Sequence, residues 1–139
     1  MKRIVFDSGV LISALISSQG APAEALDRWR EGEFDLVVSP ALLDEFRRVL
    51  MRRKFRRYAT EEDVAAFVAA LGEEAIAVED PPPSSERFTR DPNDDYLVAL
   101  ARAANAEAIV SGDSDLTTVK LDPPVVTPAE FLQLLAASG

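Results

Sequence analysis

The 139-residue sequence contains neither cysteine nor histidine. The first absence removes disulfides, thiolate nucleophiles and zinc sites built on sulfur. The second is more restrictive, because it excludes a Ser-His-Asp triad, a Cys-His dyad, imidazole acid/base catalysis and every His-ligated metal. No apolar run approaches the roughly 18 residues of a membrane span. The first sixteen residues lack the charged, apolar and cleavage segments of a secretory signal, so a soluble, cytoplasmic chain without a membrane partner is expected. Chemistry in such a chain falls to carboxylates, hydroxyls, Lys, Arg, Tyr and a hard metal ion. With 47% apolar and 28% charged residues, it has the composition of an ordinary globular domain, and residues 1–139 are expected to form one.

Fifteen cations against 24 acids give a net charge of −9, the wrong sign for a nucleic-acid binder. The distribution is uneven, however. Between Phe46 and Tyr58 stand Arg47, Arg48, Arg52, Arg53, Lys54, Arg56 and Arg57, with no acid among them. A local cationic patch sets the field that a polyanion meets, whatever the total charge. These seven are therefore candidates for contact with RNA phosphates or with an acidic partner. The bland alternative is the wet face of an amphipathic helix, since Phe46, Val49 and Leu50 lie at helical spacing. Trp29 and Phe34 read as core or partner-contact residues rather than base-stacking platforms.

Strand-like runs alternate with helical ones. Arg3–Phe6, Leu36–Val38, Ala75–Val78, Ala108–Val110 and Val125–Val126 read as strands. Helices are expected over Val10–Ile16, over Ala23–Arg30, from Ser39-Pro40 to about Arg53, from Thr60 to Gly72, from Asp91-Pro92 to about Asn105, and from the capping box at Thr127–Glu130 onward. Asp80–Thr89 reads as a loop. This alternation predicts an α/β fold: three layers, with a parallel sheet of four to five strands between helices.

Several acids fall at informative places in that scheme. Asp7 closes the first strand, Asp113 and Asp115 follow the fourth, Glu45 lies two turns into the helix after the second, and Asp94 and Asp95 stand in the first turn of the helix before the fourth. Ligands of open α/β sheets bind outside the carboxyl ends of the strands. Several carboxylates sharing that edge would repel by several kcal/mol unless a cation neutralised them, and Mg²⁺ or Mn²⁺ takes all-oxygen ligands. The bland readings are helix caps for Asp7 and Asp91, a favourable helix-terminus charge for Asp94, a solvated ion pair for Glu45 and a polar turn for Asp113 and Asp115.

The order of these motifs resembles that of PIN-domain nucleases, closest to the small bacterial toxins of toxin–antitoxin pairs. The resemblance rests on Ile4–Leu15 around Asp7, Ser39–Glu45, Asp91–Ala101, Val110–Leu116 and Val126–Phe131. It implies a metal-dependent endoribonuclease whose catalytic, metal-holding acids are Asp7, Glu45, Asp95 and Asp113, with Asp115 as a further acid and Asp94 competing with Asp95. Counting back from Val98 selects Asp95, and helix neighbours point about 100° apart. The resemblance also implies Mg²⁺ or Mn²⁺ as cofactor, RNA as substrate, a cognate antitoxin and a homodimer. One departure is Gly9, where many relatives carry Asn or Ser. Two rival readings remain: a silent PIN-like module that binds metal and RNA, and a phosphotransfer protein with Asp7 or Asp113 as phosphoryl acceptor. Against the latter, Lys120 follows Asp113 too closely for an intervening strand.

Overall fold

The computed structural model describes residues 2–83, 87–89 and 91–138. Five strands, β1 (Arg3–Phe6), β2 (Asp35–Val38), β3 (Ile76–Ala77), β4 (Ala108–Val110) and β5 (Val125–Val126), form one sheet in the order β3-β2-β1-β4-β5. Every pairing is parallel. Such a sheet must be covered on both faces, and the strand side chains divide accordingly. Ile4, Phe6, Leu36, Val38, Ala108 and Val110 enter one core, while Val5, Val37 and Ile109 enter the other. The first core is covered by α1 (Ser8–Ile16), α2 (Ala21–Arg30), most of α3 (Pro40–Leu50), α4 (Glu61–Glu74) and α7 (Pro128–Ser138). The second is covered by α5 (Pro92–Ala103), the short α6 (Ser114–Thr117) and Leu42 of α3. The expected three layers are present, with the fullest strand count.

Phe6, Phe34 and Phe131 meet pairwise at centroid separations of 5.7, 5.9 and 4.9 Å, fixing α7 against the first core. Phe34 is 1% exposed, and Trp29 packs half-buried against the same cluster. Among the described residues no helix is long and apolar enough to cross a membrane.

Most helix starts follow the caps in the sequence. Ser39 accepts from the Leu42 N–H, Thr60 and Asp63 form a reciprocal capping box, and Thr127 and Glu130 form another. Besides shifts of one or two residues at the starts of α1 and α2 and at the ends of β3, two expected helix ends need correction. α3 ends at Leu50 rather than near Arg53, because Arg52 turns extended and a separate 3₁₀ turn, Arg53–Phe55, follows. The Arg56 guanidinium holds that break by donating to the carbonyls of Leu50 and Ala59. Gly72 does not stop α4; it lies within the helix, facing Leu43 at a separation that would admit a Cβ. α6 was not expected at all, and it exists because Asp113 caps it. Of the expected loop Asp80–Thr89, residues 84–86 lie outside the described residues.

The contacts of Phe46 with Phe67 and of Leu43 with Gly72 make α3 and α4 an antiparallel hairpin. Its tip, residues 51–60, is the end away from the β2–α3 junction. At 1.5 Å rise per residue, the eleven residues of α3 put this tip about 16 Å from the sheet edge.

Candidate metal centre

In the strand order, β2 and β3 lie on one side of β1 and β4 and β5 on the other, so the chain changes direction between β1 and β4. This is where open α/β sheets leave a crevice at the carboxyl edge. Asp7 leaves β1 at that point, its N–H bonded to the Val110 carbonyl of β4 at 2.9 Å. Its Oδ1 accepts from the Gly9 N–H at 3.4 Å, capping α1, and its Oδ2 accepts from the Ser111 hydroxyl at 2.9 Å. Ser111 is fully buried and its Oγ also accepts from the Asp113 N–H at 3.1 Å. One hydroxyl thereby ties the first acid to the backbone of the fourth. Asp113 in turn caps α6 by accepting from the Asp115 N–H at 2.9 Å.

Ser111 is the site residue that sequence reasoning missed. Its signal was available: a hydroxyl directly after a wholly apolar strand, two residues before an acid. It also bears on Gly9. Asp7 is held by Ser111, just past the end of β4, rather than by a side chain at position 9, and a Cβ built on Gly9 would meet nothing within 4 Å.

Two cavities meet at Asp113. One, of about 490 Å³, is lined by Asp91, Asp94, Asp113 and Asp115, with Phe88, Thr89 and Thr118 among its walls. The other, of about 290 Å³, is lined by Asp7, Gly9, Gly112, Asp113 and Pro128. The charges interact across this crevice. Burial, followed by the fields of Asp91, Asp7, Asp113 and Asp95, pushes Asp94 up from 3.8 to about 6. Half-buried Glu45 is raised by burial first and then by Asp7 and Asp91, with Arg48 opposing. Asp7, Asp94, Asp113 and Asp115 thus line two adjoining cavities, while Glu45 lines neither and is linked to them through the fields of Asp7 and Asp91. Asp91 joins the crevice field while capping α5 through the Asn93 N–H.

Asp95, the acid favoured by counting, does something else. Only 8% exposed, it accepts from the N–H groups of Phe88 and Thr89 at 2.8 and 2.7 Å and from the Thr89 hydroxyl at 2.9 Å, all on Oδ1. Its Oδ2 meets Arg87 Nε at 2.6 Å, an ion pair that falls short of an aligned hydrogen bond. Burial works to raise its pKa, but these donors outweigh burial and hold the carboxylate below its ordinary value. Asp95 thus fixes the loop 87–89, which forms a wall of the larger cavity. Arg102 braces the same loop, with its guanidinium 4.3 Å from the Phe88 ring. A parallel tether links β2, β3 and α5: Tyr96 bonds both Ser39, at 2.5 Å, and Asp80, which also accepts from the Ala41 N–H.

The seven cations do not form one group around the acids. Arg47 stands exposed in the last turn of α3, Arg48 acts on Glu45, Arg56 is committed to two carbonyls, and Arg52, Arg53, Lys54 and Arg57 stand on the hairpin tip. Among the described residues no three acids converge closely enough to hold a metal ion as they stand. The donor chemistry nonetheless fits a hard divalent cation. The set is all oxygen, and a carboxyl raised to about 6 marks crowded negative charge.

Residues 3–115, a span that includes every one of these acids, match the family model described as PIN domain. The chain belongs to the PIN-domain family. PIN domains are generally Mg²⁺-dependent nucleases, so the nuclease-type, metal-dependent fold expected from the motif order is present. This PIN domain is also similar to an uncharacterized protein of Methanocaldococcus jannaschii. The two are 27% identical over 142 aligned residues, covering 94% of this chain and 90% of that protein.

Proposed function

We propose that residues 1–139 act as one endoribonuclease domain that hydrolyses RNA phosphodiesters with Mg²⁺ or Mn²⁺ held by Asp7, Glu45, Asp94 and Asp113, and with Asp115 at the rim. Asp94 takes the place that counting along the sequence gave to Asp95. The observation that carries this reading is the PIN-domain match over residues 3–115 with Asp7, Asp94 and Asp113 lining two adjoining cavities at the strand switch point.

When bound, the ion supplies Lewis-acid chemistry, polarising a phosphoryl oxygen and acidifying water. The protein's own groups set up that chemistry. Ser111 orients Asp7 and the Asp113 backbone together, so that two acids from different strands keep one spacing. The Asp95–Arg87–Thr89 clamp holds the cavity wall against which a ribose-phosphate chain would lie. Asp94 gives up its proton above about pH 6, which sets the lower pH limit for loading the site. No histidine is available as general base, and none is required.

We further propose that this nuclease serves as the toxin of a toxin–antitoxin pair, acting as a homodimer, its acidic crevice blocked by a cationic segment of a cognate antitoxin. The order and spacing of the five motifs support this branch, and an open crevice rich in carboxylates suits a basic peptide.

The test is cleavage of a panel of structured RNAs with Mn²⁺, Mg²⁺ or EDTA, beside Asp7→Asn and Asp94→Asn. Cleavage that needs metal and is lost in both variants is expected. Intact RNA, with Mn²⁺ binding still abolished by the same changes, would leave a silent binding module instead. For the toxin role, induced expression should arrest growth and Asp7→Asn should relieve the arrest.

A further inference from the structure

We infer that the tip of the α3–α4 hairpin is an anchoring site for RNA, separate from the acidic crevice; this rests on the endoribonuclease reading. Arg52, Arg53, Lys54 and Arg57 are all exposed there, and among the described residues none of them has an acid partner. Residues 51–60 carry no acid, and the acids that open α4 next to them, Glu61, Glu62 and Asp63, form no ion pair with these four cations. The tip is also held in shape. Arg56 closes it by donating to the Leu50 and Ala59 carbonyls at 3.0 and 3.2 Å, Ala59 is buried, and Phe55 packs against the first core. Cations on such a fixed turn lose little further freedom on binding.

One feature favours RNA over an acidic peptide. Lys54 Nζ lies 5.1 Å from the Phe55 ring centroid and the Arg57 guanidinium 5.3 Å from that of Tyr58. Tyr58 is 54% exposed, an aromatic ring left in solvent beside a cation. Aromatic faces interleaved with backbone-tracking cations are the pattern of single-stranded nucleic-acid binding. Without the seven cations of 46–58 the chain holds eight cations against 24 acids, so any polyanion is steered toward this tip.

At 1.5 Å per residue the tip begins about 9 Å along the helix axis beyond Glu45, a little more than the Debye length of about 8 Å at physiological salt, so its charges are largely screened from the crevice acids.

The experiment measures affinity for a 20-nucleotide single-stranded RNA in EDTA across a salt series, for the wild type and for Arg52→Gln/Arg53→Gln/Arg57→Gln. The triple change should weaken binding about tenfold or more at 0.15 M salt and flatten the log–log salt slope by about 2. Mn²⁺ affinity, read by calorimetry, should stay unchanged. Tyr58→Ala should weaken RNA binding several-fold and Tyr58→Phe should restore it. If the triple variant melts early, Arg52→Gln/Arg53→Gln is read in its place. Unchanged RNA affinity and slope would overturn the proposal. So would polyglutamate binding that is lost in the variant while RNA binding persists, which would assign the tip to an acidic protein. RNA held through the tip but never cut with Mn²⁺ would sink the nuclease reading and support the anchor; RNA cut normally but bound equally by the variant would do the reverse.

Discussion

The first turn of α5 has two sides, and adjacent aspartates on them have opposite fates. On the crevice side, Asp94 is half-buried among the fields of Asp91, Asp7 and Asp113, and its pKa climbs to about 6. On the loop side, Asp95 is more deeply buried, yet it is held below the ordinary value by Phe88, Thr89 and Arg87. Burial pushes both upward, so burial alone cannot distinguish them; the partners decide the sign. A buried acid with every oxygen answered is a structural part. A half-buried acid crowded by like charge is the one that we propose for the metal.

The comparison breaks first at activity. Asp94→Asn should lower metal-dependent cleavage at least about a hundredfold, about 2.7 kcal/mol of transition-state stabilisation, with folding intact. Initial rates on one RNA substrate, with melting as control, check this.

Stability should show the reverse dependence. Asp95→Ala leaves the Phe88 and Thr89 N–H groups and Arg87 without their acceptor and should cost about 3 kcal/mol in urea unfolding. Arg87→Ala should cost only about 0.5–1 kcal/mol, because the Arg87 side chain of that pair is 57% exposed.

A third expectation concerns pH. The folded pKa of Asp94 lies above its ordinary 3.8, so between about 4 and 6 the native state keeps a proton that the unfolded chain has lost. Its contribution to stability is therefore present at pH 4 and is lost as pH rises through 6. Glu45, also raised, acts in the same direction. In EDTA, Asp94→Asn should remove part of that decline, and Mn²⁺ should raise the melting temperature more at pH 7.5 than at pH 5. Equal Mn²⁺ shifts at both pH values would remove the link between proton and metal.

The smallest expected effect is at Gly9. The open space there means that Gly9→Ser should fold and gain about 0.5 kcal/mol of helix propensity, with Asp7 still held by Ser111. Thermal melting reads this directly.

How much of this the sequence disclosed follows from what each signal measures. Strand runs and caps are local, so β4 and β5 have the expected limits and Ser39, Thr60, Asp91 and Thr127 begin helices where their chemistry demands. The end of α3 follows from a side chain rather than a helix signal: Arg56, six residues on, donates back to the Leu50 carbonyl and seals a turn where the apolar pattern on its own continues to Arg53. Gly72 reads as a stop, yet α4 keeps it and packs it against Leu43. At the site, the sequence put Asp7, Asp113 and Asp115 at the strand ends, where they stand. It could not divide Asp94 from Asp95, because the division depends on where a loop seven residues upstream lays its N–H groups. Ser111 escaped for a related reason: its role appears only when β1 and β4 become neighbours.

The most direct test of the central claim is a calorimetric titration of Mn²⁺ into the metal-free protein and into Asp94→Asn at pH 7.5, repeated at pH 5. The account predicts saturable binding to the wild type at pH 7.5, weaker binding at pH 5, and loss of binding in the variant. Equal binding by both proteins, or none by the wild type, would contradict it.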